Sequence, residues 1–119
     1  MVKLAPQVYR QRLLIEAIYT IAADRETVRA YLLGLAEALA LRVYGEPVIH
    51  SPGGQGSAAN QGFDAFVPLV DSGIACYVWT QARLVSVVVY SCKPFDRRRA
   101  VTLTRAFWRA EPGLTSRQF

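Results

Sequence analysis

Hydrophobic and polar residues alternate over positions 13–21. Leu13, Ile15, Ala17, Tyr19 and Ile21 fall on one side, and Leu14, Glu16, Ile18 and Thr20 on the other. A period of two held over that length predicts a strand with one buried face. The period then changes. Val28, Leu32, Leu35 and Leu39 recur at three- and four-residue steps, which predicts an amphipathic helix over residues 25–40. Asp24 stands where an N-cap accepts backbone N–H groups, and Glu26 lies in the first turn, where the helix dipole favours an anion. Gly34, in the middle of this helix, weakens it by up to about 1 kcal/mol or admits another element closely.

An apolar stretch at 41–44 resumes at 48–49 across Gly45 and Pro47, and reads as a second, broken strand. Residues 51–62 hold four glycines and no aliphatic residue larger than alanine, which predicts a long flexible loop. Three short runs rich in β-branched and aromatic residues follow at 63–70, 74–79 and 84–90, with tight links, and read as an antiparallel meander. Asp96 then caps a second helix over 96–108. Val101, Leu103, Phe107 and Trp108 supply its apolar side and arginines its wet one. From Glu111 onward, with Pro112 and Gly113, the tail is expected to fray. The order β-α-β-β-β-β-α predicts an α+β two-layer sandwich, an antiparallel sheet with both helices on one face. No internal repeat or linker divides the chain, so residues 1–119 read as a single domain.

With 52% hydrophobic and 19% charged residues, the composition is that of a packed domain rather than a disordered tail. A sheet covered on one face only, in so apolar a chain, predicts a homodimer. No apolar run approaches the ~20 residues of a membrane span. Residues 1–6 are too short and polar for a signal peptide, so a cytoplasmic protein without a membrane partner is expected. The formal charge of +5 invites a nucleic-acid reading of Arg97, Arg98 and Arg99 with Arg105 and Arg109. Without a recognition motif, that run reads instead as the solvated face of one helix. Cys76 and Cys92 have the spacing of neither a zinc site nor a disulfide framework, and both read as free thiols. His50, the only histidine, lacks clustered partners and a G-x-S-x-G context, so no metal is expected. The glycine-rich segment lacks the Gly-Lys-Ser/Thr ending of a P-loop.

The chemistry concentrates in Asp71-Ser72-Gly73-Ile74-Ala75-Cys76-Tyr77-Val78-Trp79-Thr80-Gln81 and in the strand that ends at Ser91-Cys92. Taken alone, Asp-Ser-Gly is a common turn choice, Cys92 a small hydrophobe at a strand end, and Tyr77 and Trp79 sheet packing. The segment resembles the core of the bacterial and archaeal S-adenosylmethionine decarboxylase proenzymes. Their usual pattern is Glu-Ser-His-Ile-x-Ile-His-Thr-Trp-Pro-Glu, followed by a strand ending in Cys-Gly. Ser72, Trp79 and Cys92 keep their places in it, and the resemblance continues as element order over residues 12–108.

The resemblance implies cleavage between Asp71 and Ser72, with Ser72 becoming a covalent pyruvoyl cofactor, the electron sink of the reaction. Cys92 would return a proton to the decarboxylated carbon. The substrate would be S-adenosylmethionine or a related amino acid, in polyamine (spermidine) synthesis. Several positions depart from the pattern. Asp71 replaces a glutamate and keeps a carboxylate, while Gly73 replaces a histidine and is expected to loosen the turn. Tyr77 stands where a histidine is tied to the proton transfers of self-processing. A phenol, ionising near about pH 10, is a poor base at neutrality. Thr80 and Gln81 replace Pro-Glu, and Asp64 stands where a serine often assists, so that an anion close by would oppose a developing oxyanion. These departures predict slow or absent processing. Two readings follow: a self-cleaving pyruvoyl-dependent carboxy-lyase, and an unprocessed homologue serving as a binding or regulatory subunit, paired with an active paralogue. An unrelated basic α+β binding module has only the charge in its favour. Ser72, Tyr77 and Cys92 are expected to converge on one site.

Overall fold

The computed structural model describes residues 4–51 and 58–119. Half of the expected glycine-rich loop, residues 52–57, therefore lies outside the described residues, and Ala58–Asn60 forms one short helical turn. Strand β1 (Gln11–Ile18) buries Leu13, Ile15 and Ala17, as the alternation predicts. It stops before residue 21 because the Tyr19 N–H is taken by the Arg83 carbonyl and that of Thr20 by the Trp108 carbonyl.

Helix α1 (Arg25–Ala38) begins at Asp24, whose carboxylate accepts the Thr27 N–H at 2.8 Å while Thr27 Oγ1 accepts the Asp24 N–H. The Thr27 N–H and the Thr27 hydroxyl, both donating to this carboxylate, hold it below its usual range. Val28, Tyr31, Leu32, Leu35 and Ala36 form the buried stripe. A Cβ on Gly34 would meet nothing within 4 Å, so this glycine admits no close neighbour. Past the helix, Ala40 turns left-handed (φ 56°), which lets the Leu41 N–H reach the Ala36 carbonyl at 2.9 Å. Here the sequence expectation needs correction. With Leu41 committed to the helix end, the stretch at 41–44 adds only an isolated bridge, Val43 to Leu69, and strand β2 is Val48–His50.

β3 (Gly62–Leu69), β4 (Ser72–Trp79) and β5 (Leu84–Ser91) form the expected antiparallel meander. Helix α2 (Arg97–Trp108) follows, capped by Asp96. The tail does not fray. Thr115–Gln118 is a sixth strand, β6, paired antiparallel to β1 with Leu13 opposite Gln118. The free edge of β1 offers unpaired backbone groups, and the tail takes them without needing an apolar period of its own. The sheet order is β2-β3-β4-β5-β1-β6, antiparallel throughout.

Both helices cover one face. Tyr31 on α1 and Thr104 on α2 share a buried hydroxyl–hydroxyl hydrogen bond of 2.7 Å, and the Trp108 ring packs against Tyr19, Tyr31 and Phe107. The buried stripe of α2 is Ala100, Thr104 and Trp108, while Val101, Leu103 and Phe107 are only half-buried at its flanks. Thr104 escaped the apolar pattern because Tyr31 satisfies its hydroxyl. On the opposite, uncovered face Phe66, Tyr77 and Tyr90 remain 45%, 41% and 41% exposed. No described helix is long and apolar enough to cross a membrane.

Candidate active site at the Asp71–Ser72 turn

Val70 and Asp71 link β3 to β4, and Asp71 takes a left-handed backbone with φ 58°. Aspartate tolerates that conformation better than most residues, although it remains a strained choice. Ser72 opens β4, opposite Leu69 of β3 on one side and Ser91 of β5 on the other. The Cys92 N–H donates to the Asp71 carbonyl oxygen at 2.8 Å. That flanking bond makes Ser72 and Ser91 a non-hydrogen-bonded pair, the type whose side chains stand closest across an antiparallel ladder. Their hydroxyl oxygens lie 2.7 Å apart. Ser91 is fully buried, and its hydroxyl oxygen also accepts the Lys93 N–H at 2.9 Å. One strand end thus holds both the Asp71 carbonyl and the Ser72 hydroxyl.

Beside this turn lies a concavity of about 370 Å³. Phe66, Val88 and Tyr90 give it apolar walls, and Asp71, Ser72 and Cys92 border it at the turn, with the Ser72 hydroxyl turned to buried Ser91. Its size and lining suit a small organic ligand. Gly73 is not part of the turn, contrary to the expectation that it loosens it. It sits within β4, where a Cβ would stand 2.8 Å from the Phe66 ring. Glycine here makes room for that wall.

Ser72 and Cys92 come together as their spacing suggests. Tyr77 does not join them. It lies five residues along β4, roughly 16 Å at strand rise, and alternation gives it the opposite side-chain parity to Ser72. It stands opposite Asp64 and Ser86 on the uncovered face, with its ring 6.5 Å from that of Trp79. Asp64 pairs with Tyr77 rather than with the residues at the turn, so its carboxylate does not face the Asp71 carbonyl. Thr80 and Gln81 lie in the β4–β5 turn, at the far end of the hairpin. His50 stands opposite Asp64 at the sheet edge, and no group of three or more potential metal ligands occurs among the described residues.

Sequence reasoning missed Ser91. Pairing Trp79 with Leu84 around the β4–β5 turn and counting back along the hairpin places Ser91 opposite Ser72, so the signal was present in the strand lengths.

A larger groove of about 690 Å³ runs along α2 between Arg98, Arg99, Leu103 and Phe107. It lies on the helical layer, away from the Asp71–Ser72 turn. Arg97 bonds the Ser116 carbonyl and Arg99 the Ala38 carbonyl, so two of the three consecutive arginines hold neighbouring backbone.

The cysteines are both free and differ in access. Burial pushes the Cys76 thiol up to about 12, whereas Cys92 is exposed. Native protein treated with a thiol reagent near neutral pH is therefore expected to label at Cys92 alone, with Cys76 reacting only after unfolding. Peptide mapping of the labelled chain checks this.

A family model described as S-adenosylmethionine decarboxylase matches residues 13–115. The chain belongs to the S-adenosylmethionine decarboxylase family. The fold agrees. The crystal structure of the adenosylmethionine decarboxylase from Aquifex aeolicus VF5 superposes with a TM-score of 0.71 at 18% identity, covering 94% of this chain and 89% of that one. No curated protein matches the chain.

Proposed function

We propose that the protein is a pyruvoyl-type S-adenosylmethionine decarboxylase of the cytoplasm that forms its cofactor by slow self-cleavage at Asp71–Ser72, in polyamine synthesis. One observation carries the reading: the Cys92 N–H on the Asp71 carbonyl, beside the Ser72 hydroxyl. Attack of Ser72 Oγ on that carbonyl carbon would place negative charge on its oxygen, and the N–H 2.8 Å away would bind that charge more strongly than the neutral carbonyl. In this step the Oγ–C bond forms, the C–N bond breaks, and the hydroxyl proton ends on the released nitrogen of Ser72. Breaking the peptide link also frees Asp71 from its left-handed backbone, a strain of about 1–3 kcal/mol for a general residue. Loss of the Ser72 Cα proton would then expel the Asp71 carboxylate and, with water, leave a pyruvoyl group and ammonia.

Ser72 borders the 370 Å³ concavity, and the reading has the new N-terminus open into it. A pyruvoyl group supplies the electron sink for decarboxylation. Phe66 and Tyr90 would pack against a substrate there, and the exposed Cys92 thiol lines the same space as a proton donor. The test is an intact-mass spectrum of aged protein combined with carbon dioxide release from S-adenosylmethionine. Fragments 1–71 and 72–119, with a ketone on the smaller, together with turnover support the reading.

A homodimer is part of this proposal. Val48 and Tyr77 are exposed on the uncovered sheet face, where a second copy would bury them. Tyr77, remote from Ser72 of its own chain, would then act only at the site of the other copy. Sedimentation is expected to give a dimer, and Val48→Asp to shift it to monomer. A parent chain that remains monomeric at high concentration would refute this part. The second reading, an unprocessed regulatory subunit, is favoured by Tyr77 standing in place of the histidine. A chain that stays whole on storage selects it.

A further inference from the structure

We propose that Ser91 is a positioning residue for self-processing, holding the Ser72 hydroxyl in the orientation from which it attacks Asp71. The inference rests on the cleavage reading above and assigns a residue that reading does not need. An unpartnered serine side chain distributes over several staggered rotamers, of which one approaches the preceding carbonyl. In this protein the choice is made by a 2.7 Å bond to Ser91 Oγ. Ser91 is itself fixed, because it is fully buried and its oxygen accepts the Lys93 N–H at 2.9 Å. Its burial keeps it from bulk solvent.

The adjoining residue, Cys92, anchors the other reacting group through its N–H on the Asp71 carbonyl. Ser91, Cys92 and Lys93 thus act as one jig: one holds the nucleophile, the next holds the electrophile, and the third locks the first. Because both anchors belong to one short piece of backbone, nucleophile and carbonyl keep their relation when the turn itself moves. This is positioning rather than proton chemistry. The bond changes remain those of the N-to-O shift: Oγ–C forms, C–N breaks, and the proton passes from Oγ to the freed nitrogen. No co-reactant is required.

The experiment follows cleavage of the full chain by intact mass under denaturing conditions, with and without hydroxylamine, which splits any ester and so counts attack separately from elimination. The parent chain is compared with Ser91→Ala, Ser91→Thr and Ser72→Ala. Ser91→Ala is expected to slow ester formation about tenfold, the scale of one neutral hydrogen bond, without changing elimination from ester already formed. Ser91→Thr, which keeps the hydroxyl, is expected to restore the rate. A role in stability alone would lower the melting temperature of both variants without separating their rates.

Ser91→Ala forming ester as fast as the parent, or faster, overturns the proposal. So does a folded Ser91→Thr as slow as Ser91→Ala. Should Ser91→Ala fail to fold, Ser91→Cys, close in shape but a weaker hydrogen-bonding group, takes its place with the same slowing expected. A parent chain that yields neither ester nor fragments sinks the cleavage reading and this inference with it. A parent that cleaves beside an unaffected Ser91→Ala sinks only the inference.

Discussion

Ser72→Ala is expected to stay a single chain of 119 residues under conditions in which the parent separates into residues 1–71 and 72–119. The effect is all or none. Alanine keeps the strand and the Cys92 bond to Asp71 but removes the hydroxyl that attacks that carbonyl in this reading. Denaturing mass spectrometry reads the result directly, and cleavage of Ser72→Ala at the same bond would show that adventitious proteolysis, not self-processing, cuts the turn. The companion change, Tyr77→His, is expected to accelerate cleavage of the parent. Because Tyr77 lies roughly 16 Å along β4 from Ser72, that acceleration should appear only where chains associate and fade on dilution. Acceleration independent of concentration would reject the two-copy account of Tyr77.

Trp108→Ala is expected to cost about 3–5 kcal/mol, a large share of the roughly 5–15 kcal/mol that holds an ordinary domain together. Trp108 is fully buried and its ring meets Tyr19, Tyr31 and Phe107, so it joins the end of β1 to both helices. Truncation leaves a void that the flanking aromatic rings can fill only in part. Urea unfolding followed by circular dichroism should show a much lower midpoint with the slope retained. A loss below about 1 kcal/mol would mean that the site collapses around the smaller side chain.

The fold was legible where one face of an element is buried. β1 declared itself because Leu13, Ile15 and Ala17 must all face the helices, and α1 because its stripe recurs with a capping residue ahead of it. β6 was not legible. Thr115, Ser116, Arg117 and Gln118 carry no apolar period, and what recruits them is the open backbone of β1, which no property of their own side chains records. In α2 the arginines marked the wet side correctly. Its apolar side was right at Trp108, but the fully buried stripe also runs through Thr104, a polar residue made acceptable by a tyrosine 73 positions earlier. The Ser72–Cys92 meeting followed from hairpin geometry, and so did Ser91, once the β4–β5 pairing is counted. Tyr77 shows the limit of motif spacing. A residue five places along a strand shares its sequence window with Ser72, yet alternation and strand rise carry it to another part of the sheet.

The strand order has a bearing on what a cut at residue 71 would do to the molecule. Residues before the cut provide β1, β2 and β3, and residues after it provide β4, β5 and β6, which interleave as β2-β3-β4-β5-β1-β6. Neither piece owns a contiguous sheet. β1 is clasped between β5 and β6, and β4 between β3 and β5, so each piece covers strand edges of the other. The two pieces are woven together, and scission would change the covalent connectivity without releasing either. A nicked molecule would travel through a native column as one particle and come apart only when the sheet itself is unravelled.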